Sequence, residues 1–247
     1  MVDMLRRLKT LVKDHKNELT KSGRDKVDVN VIYIICGFLL SSSRIVGLHR
    51  WLLPTHGVVL DLGCGQGLSF RALKLMPGNK IARAFTVGTD IFKRDLIECK
   101  KQGAYHDVIH CDLRHLPLRN KSAETCLLLD VIEHLDKKEG LELLACVESV
   151  AKKQIVITTP NGFSSESVRD NPFWLHRSGW LPQEFAHFDY KVRGIKGTKA
   201  YAKIRYHRFL HVVLALNPFY LMLTWFVTYF WYTIASELLC VKLVSNH

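Results

Sequence analysis

The chain has 247 residues, of which 48% are hydrophobic and 23% are charged. These proportions exclude an intrinsically disordered chain, and the length allows one sizeable domain with appendages. The formal net charge of +12 would attract a polyanion, either nucleic acid or an anionic membrane surface. The seven cysteines form no CxxC pair or regular framework, so we expect a reducing, cytoplasmic setting.

Residues 1–45 form a basic and apolar N-terminal region. Its apolar stripe follows a helical spacing through Leu5, Leu8, Leu11 and Val12. This pattern predicts an amphipathic cap helix, which could dock on the main domain or lie on a membrane surface.

Short apolar runs alternate with helix-like stretches between residues 57 and 160. Strands separated by helical segments of this length predict βαβ units with right-handed crossovers. We therefore predict an α/β domain over residues 46–200, with a Rossmann-like, doubly wound and mostly parallel sheet. The predicted strands are Val58–Leu62, Ala84–Thr89, Val108–Cys111, Thr125–Leu129 and Gln154–Thr158.

The first predicted strand runs into a GxGxG turn that opens a helix. Glycines there let the backbone turn tightly and approach a ligand at the carboxyl edge of a parallel sheet. A nicotinamide fingerprint would need glycine in place of Leu68, and Asp61 just before the turn would repel a pyrophosphate. A ligand that carries an ammonium and a sulfonium, such as S-adenosylmethionine, would instead be attracted to this carboxylate.

The motif LDLGCGQG at residues 60–67 resembles the first motif of class I S-adenosylmethionine-dependent methyltransferases, especially the quinone-biosynthesis branch. The resemblance covers about residues 55–165. It implies the class I methyltransferase fold, with S-adenosylmethionine as cofactor. In that family the loop holds the methionine moiety, a role that falls here to Asp61, Gly63, Cys64, Gly65 and Gly67.

Acids also follow the next two predicted strands. The family uses an acid in the position of Asp90, beside Ile91, to accept hydrogen bonds from both ribose hydroxyls. It uses the position of Asp112 to bind the adenine amino group, with Leu113 flanking the ring. A lone Asp after a strand is more often a solvated loop residue or a helix N-cap, so the prediction depends on three acids at successive strand ends.

The fourth predicted strand leads into Asp130, Glu133 and His134, in a segment that resembles the family's Glu-His segment. In a helix this spacing would put the three side chains on one face. We predict that Asp130 contacts the cofactor and that His134 is a general base for a hydroxyl acceptor. A structural role for Glu133 and His134 stays open, as does Mg²⁺ binding by all three, with His176 or His187 as a fourth ligand. We assign no metal.

The region after the fifth predicted strand completes the acceptor pocket in related enzymes. Phe173, Trp174, His176 and Trp180 could provide its walls, and the tryptophans could equally well fill the core.

The C-terminal part, residues 201–247, is predicted to be a basic stretch and a hydrophobic helical segment. Residues 191–208 contain seven Lys or Arg and no acid, and residues 209–236 contain no charged side chain. The apolar run is long enough to cross a bilayer, with aromatics clustered toward one end. The alternative is a buried helix or hairpin packed on the catalytic core.

These features predict an enzyme that transfers a methyl group from S-adenosylmethionine to an oxygen or carbon of a small-molecule, lipid-linked or saccharide acceptor at a membrane. The catalytic domain would lie in the cytoplasm. The alternatives are an RNA methyltransferase, favoured by charge but by no recognisable RNA-binding module, and a non-catalytic cofactor-binding scaffold.

Overall fold

The structure is a computed structural model that describes residues 45–76, 78–165, 171–199, 223 and 226–244. The predicted N-terminal cap helix and most of the predicted C-terminal apolar segment lie outside these residues.

The described chain forms a seven-stranded sheet flanked by helices. The strands are β1 (Val58–Leu62), β2 (Phe85–Asp90), β3 (Asp107–His110), β4 (Ala123–Leu129), β5 (Ala151–Pro160), β6 (Lys191–Thr198) and β7 (Ala235–Leu243). The α-helices are α1 (Leu68–Lys74), α2 (Lys93–Lys101), α3 (Lys137–Val150) and α4 (Pro182–His187), and residues 45–51 are also helical. Short 3₁₀ helices span Leu113–His115, Ile132–His134, Pro172–Trp174 and Tyr232–Ile234.

The strand order is β3-β2-β1-β4-β5-β7-β6. The first five strands pair in parallel, and β7 is antiparallel to both β5 and β6. The prediction of a Rossmann-like, mostly parallel sheet is therefore confirmed, and all five predicted strands are present. The order reverses between β1 and β4, which is where ligands bind in sheets of this kind.

The sheet is buried on both faces because its strands carry apolar side chains in both directions. In β4, Cys126 and Leu128 pack into one core cluster, whereas Leu127 and Leu129 pack into the other. Alternate residues of a strand point to opposite faces, so a continuous apolar run is needed when helices cover both. The first cluster contains the buried side of α3, and the second contains residues of α1 and of the helical residues 45–51.

The C-terminal end of the described chain differs from the prediction, because residues 235–243 form β7 and not a helix. Leu238 and Cys240 pack into one core cluster, and Leu239 and Val241 into the other. A strand that is apolar on both faces has no period-two pattern, so the sequence alone does not distinguish it from a buried helix. β7 thus belongs to the main sheet, although it lies within residues 201–247, which were predicted to form a separate C-terminal segment.

The predicted membrane-spanning helix is not supported. In the described part of the chain, no helix is both long enough and apolar enough to cross a membrane. Before β7, the described helical residues are 223 and 226–230, followed by the 3₁₀ helix Tyr232–Ile234.

Candidate active site

The glycine loop between β1 and α1 is held against the end of β2. The backbone N–H groups of Gly63 and Cys64 both donate to the carbonyl oxygen of Thr89, at 2.8 Å. Gly63, Gly65 and Gly67 have φ values of 75°, 49° and 74°, a region that favours glycine. A Cβ would collide with neighbours at Gly63 and Gly67 but would meet nothing within 4 Å at Gly65. The loop is therefore tightly packed at both ends and open at its middle glycine.

Asp90 is fixed beside the open part of this loop. One carboxylate oxygen accepts the Gly65 N–H and the other accepts the Phe92 N–H, both at 2.8 Å. Burial raises the pKa of Asp90 above its ordinary value, although these two N–H groups act in the opposite direction. Each carboxylate oxygen can accept a second hydrogen bond, so the side chain can still bind hydroxyl groups.

A cavity lies at the carboxyl ends of β1, β2 and β4. Of the eleven predicted site residues, eight line it: Gly63, Gly65, Asp90, Ile91, Asp112, Leu113, Asp130 and His134. The other three, Asp61, Cys64 and Gly67, are not among the lining residues. The structure therefore gathers most of the predicted cofactor residues at one place.

The side chain of Asp61 is directed into the protein. It is 2% exposed, and its Oδ2 accepts a hydrogen bond from the Tyr105 hydroxyl at 2.5 Å. Burial and the Asp61 carboxylate raise the pKa of Tyr105, so the hydroxyl keeps its proton as a donor. Asp61 therefore contacts a buried tyrosine hydroxyl and not the cavity. Tyr105 lies between α2 and β3, and no local sequence pattern predicts its contact with Asp61.

Asp112 is paired with an arginine that was not predicted. The Arg114 guanidinium donates to both oxygens of the Asp112 carboxylate, at 2.6 to 3.0 Å, and to Glu139 at 3.3 Å. This pairing holds the pKa of Asp112 below its ordinary value. All three side chains line the cavity, so the predicted adenine end of the site has an ionised and oriented carboxylate.

A second cavity of about 300 Å³ shares Asp130, His134 and Trp174 with the first. Its other lining residues are Glu133, Pro160, His176, Lys196 and Glu237. Three of the eight lining side chains are carboxylates, and Lys196 forms an ion pair with Glu237 at 2.8 Å. The lining is therefore strongly polar and acidic.

Glu133 is the most deeply buried acid of this cavity, with 2% of its surface exposed. Its Oε2 accepts a hydrogen bond from the Thr159 hydroxyl at 2.9 Å, and its Oε1 has no hydrogen-bond partner among the described residues. Burial first, and the nearby Asp130 second, raise the pKa of Glu133 well above its ordinary value. The carboxyl group is thus either protonated or, if ionised, requires a cation beside it.

Two histidines face this acid with similar hydrogen bonding. Nδ1 of His134 lies 3.3 Å from the carbonyl oxygen of Leu175, and Nδ1 of His176 lies 2.6 Å from that of Ser164. Because a carbonyl can only accept, each Nδ1 carries the proton, which leaves the lone pair of a neutral ring on Nε2. Glu133, His134 and His176 each offer one ligand atom, all within 4.8 Å of one another.

This cluster fits a metal ion, since it combines two imidazoles whose Nδ1 groups are oriented by carbonyls with a buried carboxylate oxygen that lacks a partner. It contains Glu133 and His134 of the predicted magnesium set, together with His176, one of the two suggested fourth ligands. Asp130 lines the cavity without belonging to the cluster, and His187 lies on α4 against Phe188.

The predicted aromatic wall is only partly present. Phe173 and Trp174 line the first cavity, but Trp180 is fully buried in the core beside Phe185. Its indole N–H donates to the Ser178 hydroxyl at 2.9 Å, which satisfies the group without a ligand. Asn171 and Arg177 also line the first cavity and were missed, because no spacing rule distinguishes them within an irregular segment.

Comparison with known proteins identifies the catalytic chemistry. Residues 60–155 match a family model described as a methyltransferase domain. This stretch contains the glycine loop, Asp90, Asp112 and His134. The protein is an S-adenosylmethionine-dependent methyltransferase.

Solved methyltransferases share the fold at low sequence identity. One from Archaeoglobus fulgidus is 18% identical with a TM-score of 0.54, covering 82% of this chain and 94% of that chain. A chain from the complex between the Haloferax volcanii Trm112 methyltransferase activator and a methyltransferase is 14% identical with a TM-score of 0.55, covering 84% of this chain and 90% of that chain. Haemonchus contortus phosphoethanolamine N-methyltransferase 2, bound to S-adenosyl-L-methionine, is 13% identical with a TM-score of 0.55, covering 91% and 59%. No curated protein matches the methyltransferase significantly.

Proposed function

We propose that this methyltransferase transfers the methyl group to a hydroxyl oxygen of a polar acceptor, either a small molecule or a saccharide, free or carried on a lipid. The observation that carries the proposal is the acidic cavity that adjoins the cofactor cavity through Asp130, His134 and Trp174. Carboxylates accept hydrogen bonds from hydroxyl groups, and an indole face suits the apolar side of a sugar ring. The proposed transfer to a hydroxyl oxygen does not depend on whether the protein belongs to the quinone-biosynthesis branch.

The cofactor would occupy the first cavity. Asp90 would accept hydrogen bonds from the ribose hydroxyls, and Asp112 would accept one from the adenine amino group, with Ile91 and Leu113 against the ring. The methionine end would lie along the loop at Gly63 and Gly65, toward Asp130, since these residues line the same cavity. The sulfonium would then lie near the boundary between the two cavities.

His134 is the proposed base because it lies at this boundary with a lone pair on Nε2. With S-adenosylmethionine bound, the acceptor oxygen would take the methyl group from the sulfur, whose C–S bond would break to leave S-adenosylhomocysteine. The hydroxyl proton would pass to Nε2 of His134. Holding the oxygen in line with the C–S bond supplies much of the rate, because the sulfonium is already activated.

A divalent cation is the other role that the cluster allows. Glu133, His134 and His176 would hold it, and when bound it supplies positive charge that lowers the pKa of a nearby hydroxyl. Activity that persists in EDTA would support His134 as the base. Activity that is lost in EDTA and restored by an added divalent cation would assign His134 to the cation.

The proposal is tested by methyl transfer from radiolabelled S-adenosylmethionine to saccharides, polar cell extract, lipid extract and RNA. The label should appear as a methyl ether on a saccharide or on its lipid-linked form. His134→Ala should reduce incorporation at least about 100-fold, the usual contribution of a general base. His187→Ala, an exposed histidine on α4, is the matched control and should retain activity. A methyl group on carbon or nitrogen would contradict the proposal, and labelled RNA would favour the RNA alternative.

We further propose that the enzyme works at a membrane surface, with its catalytic domain in the cytoplasm. Phe226, Phe230 and Trp231 are more than half exposed, at 54%, 59% and 62%. Asn161, next to Pro160 of the acidic cavity, donates to the backbone carbonyls of residues 232, 233 and 235, so this apolar region lies close to the acceptor cavity. The basic residues that follow β6, Lys199, Lys203, Arg205 and Arg208, would favour anionic lipid.

Vesicle sedimentation tests the membrane proposal. The protein should bind phosphatidylglycerol vesicles more tightly than phosphatidylcholine vesicles, and a Phe230→Ser, Trp231→Ser variant should lose most of this binding. Equal recovery of wild type and variant in the supernatant with both lipids would contradict it.

A further inference from the structure

A buried carboxylate outside both cavities joins the glycine loop to the wall of the cofactor cavity. Asp95 lies in the first turn of α2 and is 5% exposed. Its Oδ1 accepts a hydrogen bond from the side-chain amide of Gln66 at 3.0 Å, and its Oδ2 accepts one from that of Asn171 at 3.1 Å. One acid thus holds two segments that are far apart in sequence.

The first of these segments is the loop that the cofactor would contact. Gln66 lies between Gly65 and Gly67, and Gly65 is bonded to Asp90. The position of the Gln66 amide therefore depends on the conformation of the loop.

The second segment forms the aromatic wall. Asn171 is 4% exposed and lines the first cavity, and its Oδ1 accepts the backbone N–H of Phe173 at 2.9 Å. This bond caps the 3₁₀ helix Pro172–Trp174, which supplies Phe173 to the first cavity and Trp174 to both. Asn171 thus caps the segment whose Trp174 lines both cavities.

We infer that Asp95 is a positioning residue that couples cofactor binding to the order of residues 171–177. The aromatic wall formed by Phe173 and Trp174 would then become fully ordered after the cofactor has bound. A buried carboxylate is costly unless both oxygens are hydrogen-bonded, and one of the two donors belongs to the loop. When the cofactor fixes the loop, Gln66 holds Asp95, and Asp95 in turn holds Asn171. The coupling is reciprocal, so an ordered wall also favours cofactor binding. This inference rests on the proposed cofactor site.

Hydrogen exchange of the full-length protein, measured with and without saturating S-adenosylhomocysteine, tests the coupling. In the wild type the ligand should slow exchange in residues 171–177 by about fivefold or more, the lower end of usual coupling energies. In Asp95→Ala the ligand should still bind, but this slowing should be lost. Asp95→Asn should retain most of it, because the Asn amide still accepts from Asn171 and the Gln66 amide can rotate to accept from it.

Two further variants make the result specific. Asn171→Ala should abolish the slowing in the same way, which keeps the test decisive if Asp95→Ala fails to fold. Glu98→Ala, an acid on the surface of the same helix, should behave like the wild type. Unchanged slowing in Asp95→Ala, or none in a wild type that calorimetry shows to be saturated, would overturn the coupling alone. A wild type that does not bind the ligand would overturn the cofactor site and the coupling together.

Discussion

At the scale of single residues, Glu133 is the group whose environment is least suited to its charge. It is 2% exposed, its Oε1 lacks a partner among the described residues, and Asp130 lies close enough to disfavour ionisation. Burying a charge without a partner costs free energy, and proteins tolerate this mainly where the charge has a function.

We predict that Glu133→Gln stabilises the metal-free protein increasingly as pH rises. The folded-state pKa of Glu133 lies above its unfolded value, so its contribution is fully present below the unfolded pKa, near 4.3, and is lost as pH rises toward the folded pKa. In EDTA, the variant should therefore exceed the wild type by about 1–3 kcal/mol at pH 8 and by less at pH 5. Thermal unfolding at both pH values measures this difference.

Glu98→Gln, on the exposed surface of α2, is the matched control, because it makes the same Glu-to-Gln change without removing a buried carboxylate. A Glu133→Gln variant that is less stable than the wild type at pH 8 would mean that another group compensates the buried carboxylate.

The glycine loop gives a second prediction at this scale. Gly67→Ala should lower the free energy of unfolding by about 2–4 kcal/mol, because it combines a left-handed φ with a Cβ only 2.8 Å from Ala104. Gly65→Ala meets no atom within 4 Å, so it should cost about 1–2 kcal/mol from backbone strain alone. Denaturant unfolding of both variants checks the order, and an equal loss of stability would contradict the packing of the loop.

Position along a strand predicts where a side chain lies at the edge of the sheet. Asp90 ends β2 and Asp112 follows β3, so the carboxyl edge of the sheet brings both to one cavity. Position along a strand does not predict where the Asp61 side chain points, which depends on the Tyr105 hydroxyl, or that Arg114 belongs to the site, since its pairing depends on Glu139 of α3. Such contacts join different crossovers and have no signature in local spacing.

At the scale of elements, the alternation of strands and helices predicted β1 to β5 because each strand is followed by a change of hydrophobic period. β7 was missed because it is buried on both faces and follows an apolar run that resembles a helix. The Glu-His segment also differs from the prediction. It forms a short 3₁₀ helix, preceded by Asp130 at a φ of 57°, and not the start of a regular α-helix.

The position of β7 predicts that two leucines of this strand contribute very differently to the free energy of unfolding. Leu238 is fully buried between β5 and β6, so Leu238→Ala should cost about 2–5 kcal/mol. Leu243, at the end of the strand, is 56% exposed, and Leu243→Ala should cost less than about 0.5 kcal/mol. Denaturant unfolding gives both values. A small effect at Leu238 would contradict the placement of this strand in the sheet.

At the scale of the whole molecule, two cavities share one boundary: one carries the predicted cofactor residues, and the other is lined by acids and histidines. The net charge of +12 does not arise there, since the second cavity has three carboxylates and one lysine. The net positive charge therefore favours an anionic surface that the protein approaches. The acidic lining of the second cavity instead favours a polar group at the part of the acceptor that reacts. The composition does not distinguish these two roles, because it does not show where the charges lie in the structure.

Calorimetric titration of the purified protein with S-adenosylhomocysteine tests whether the first cavity holds the cofactor. The titration is repeated with Asp90→Ala and with the control Asp107→Ala, which changes an exposed acid at the start of β3. Wild type and control should bind with similar micromolar affinity, and Asp90→Ala should lose at least about tenfold, because two charge-assisted hydrogen bonds to the ribose are removed. A folded wild type that does not bind, or equal binding by Asp90→Ala, would contradict the assignment of this cavity to the cofactor.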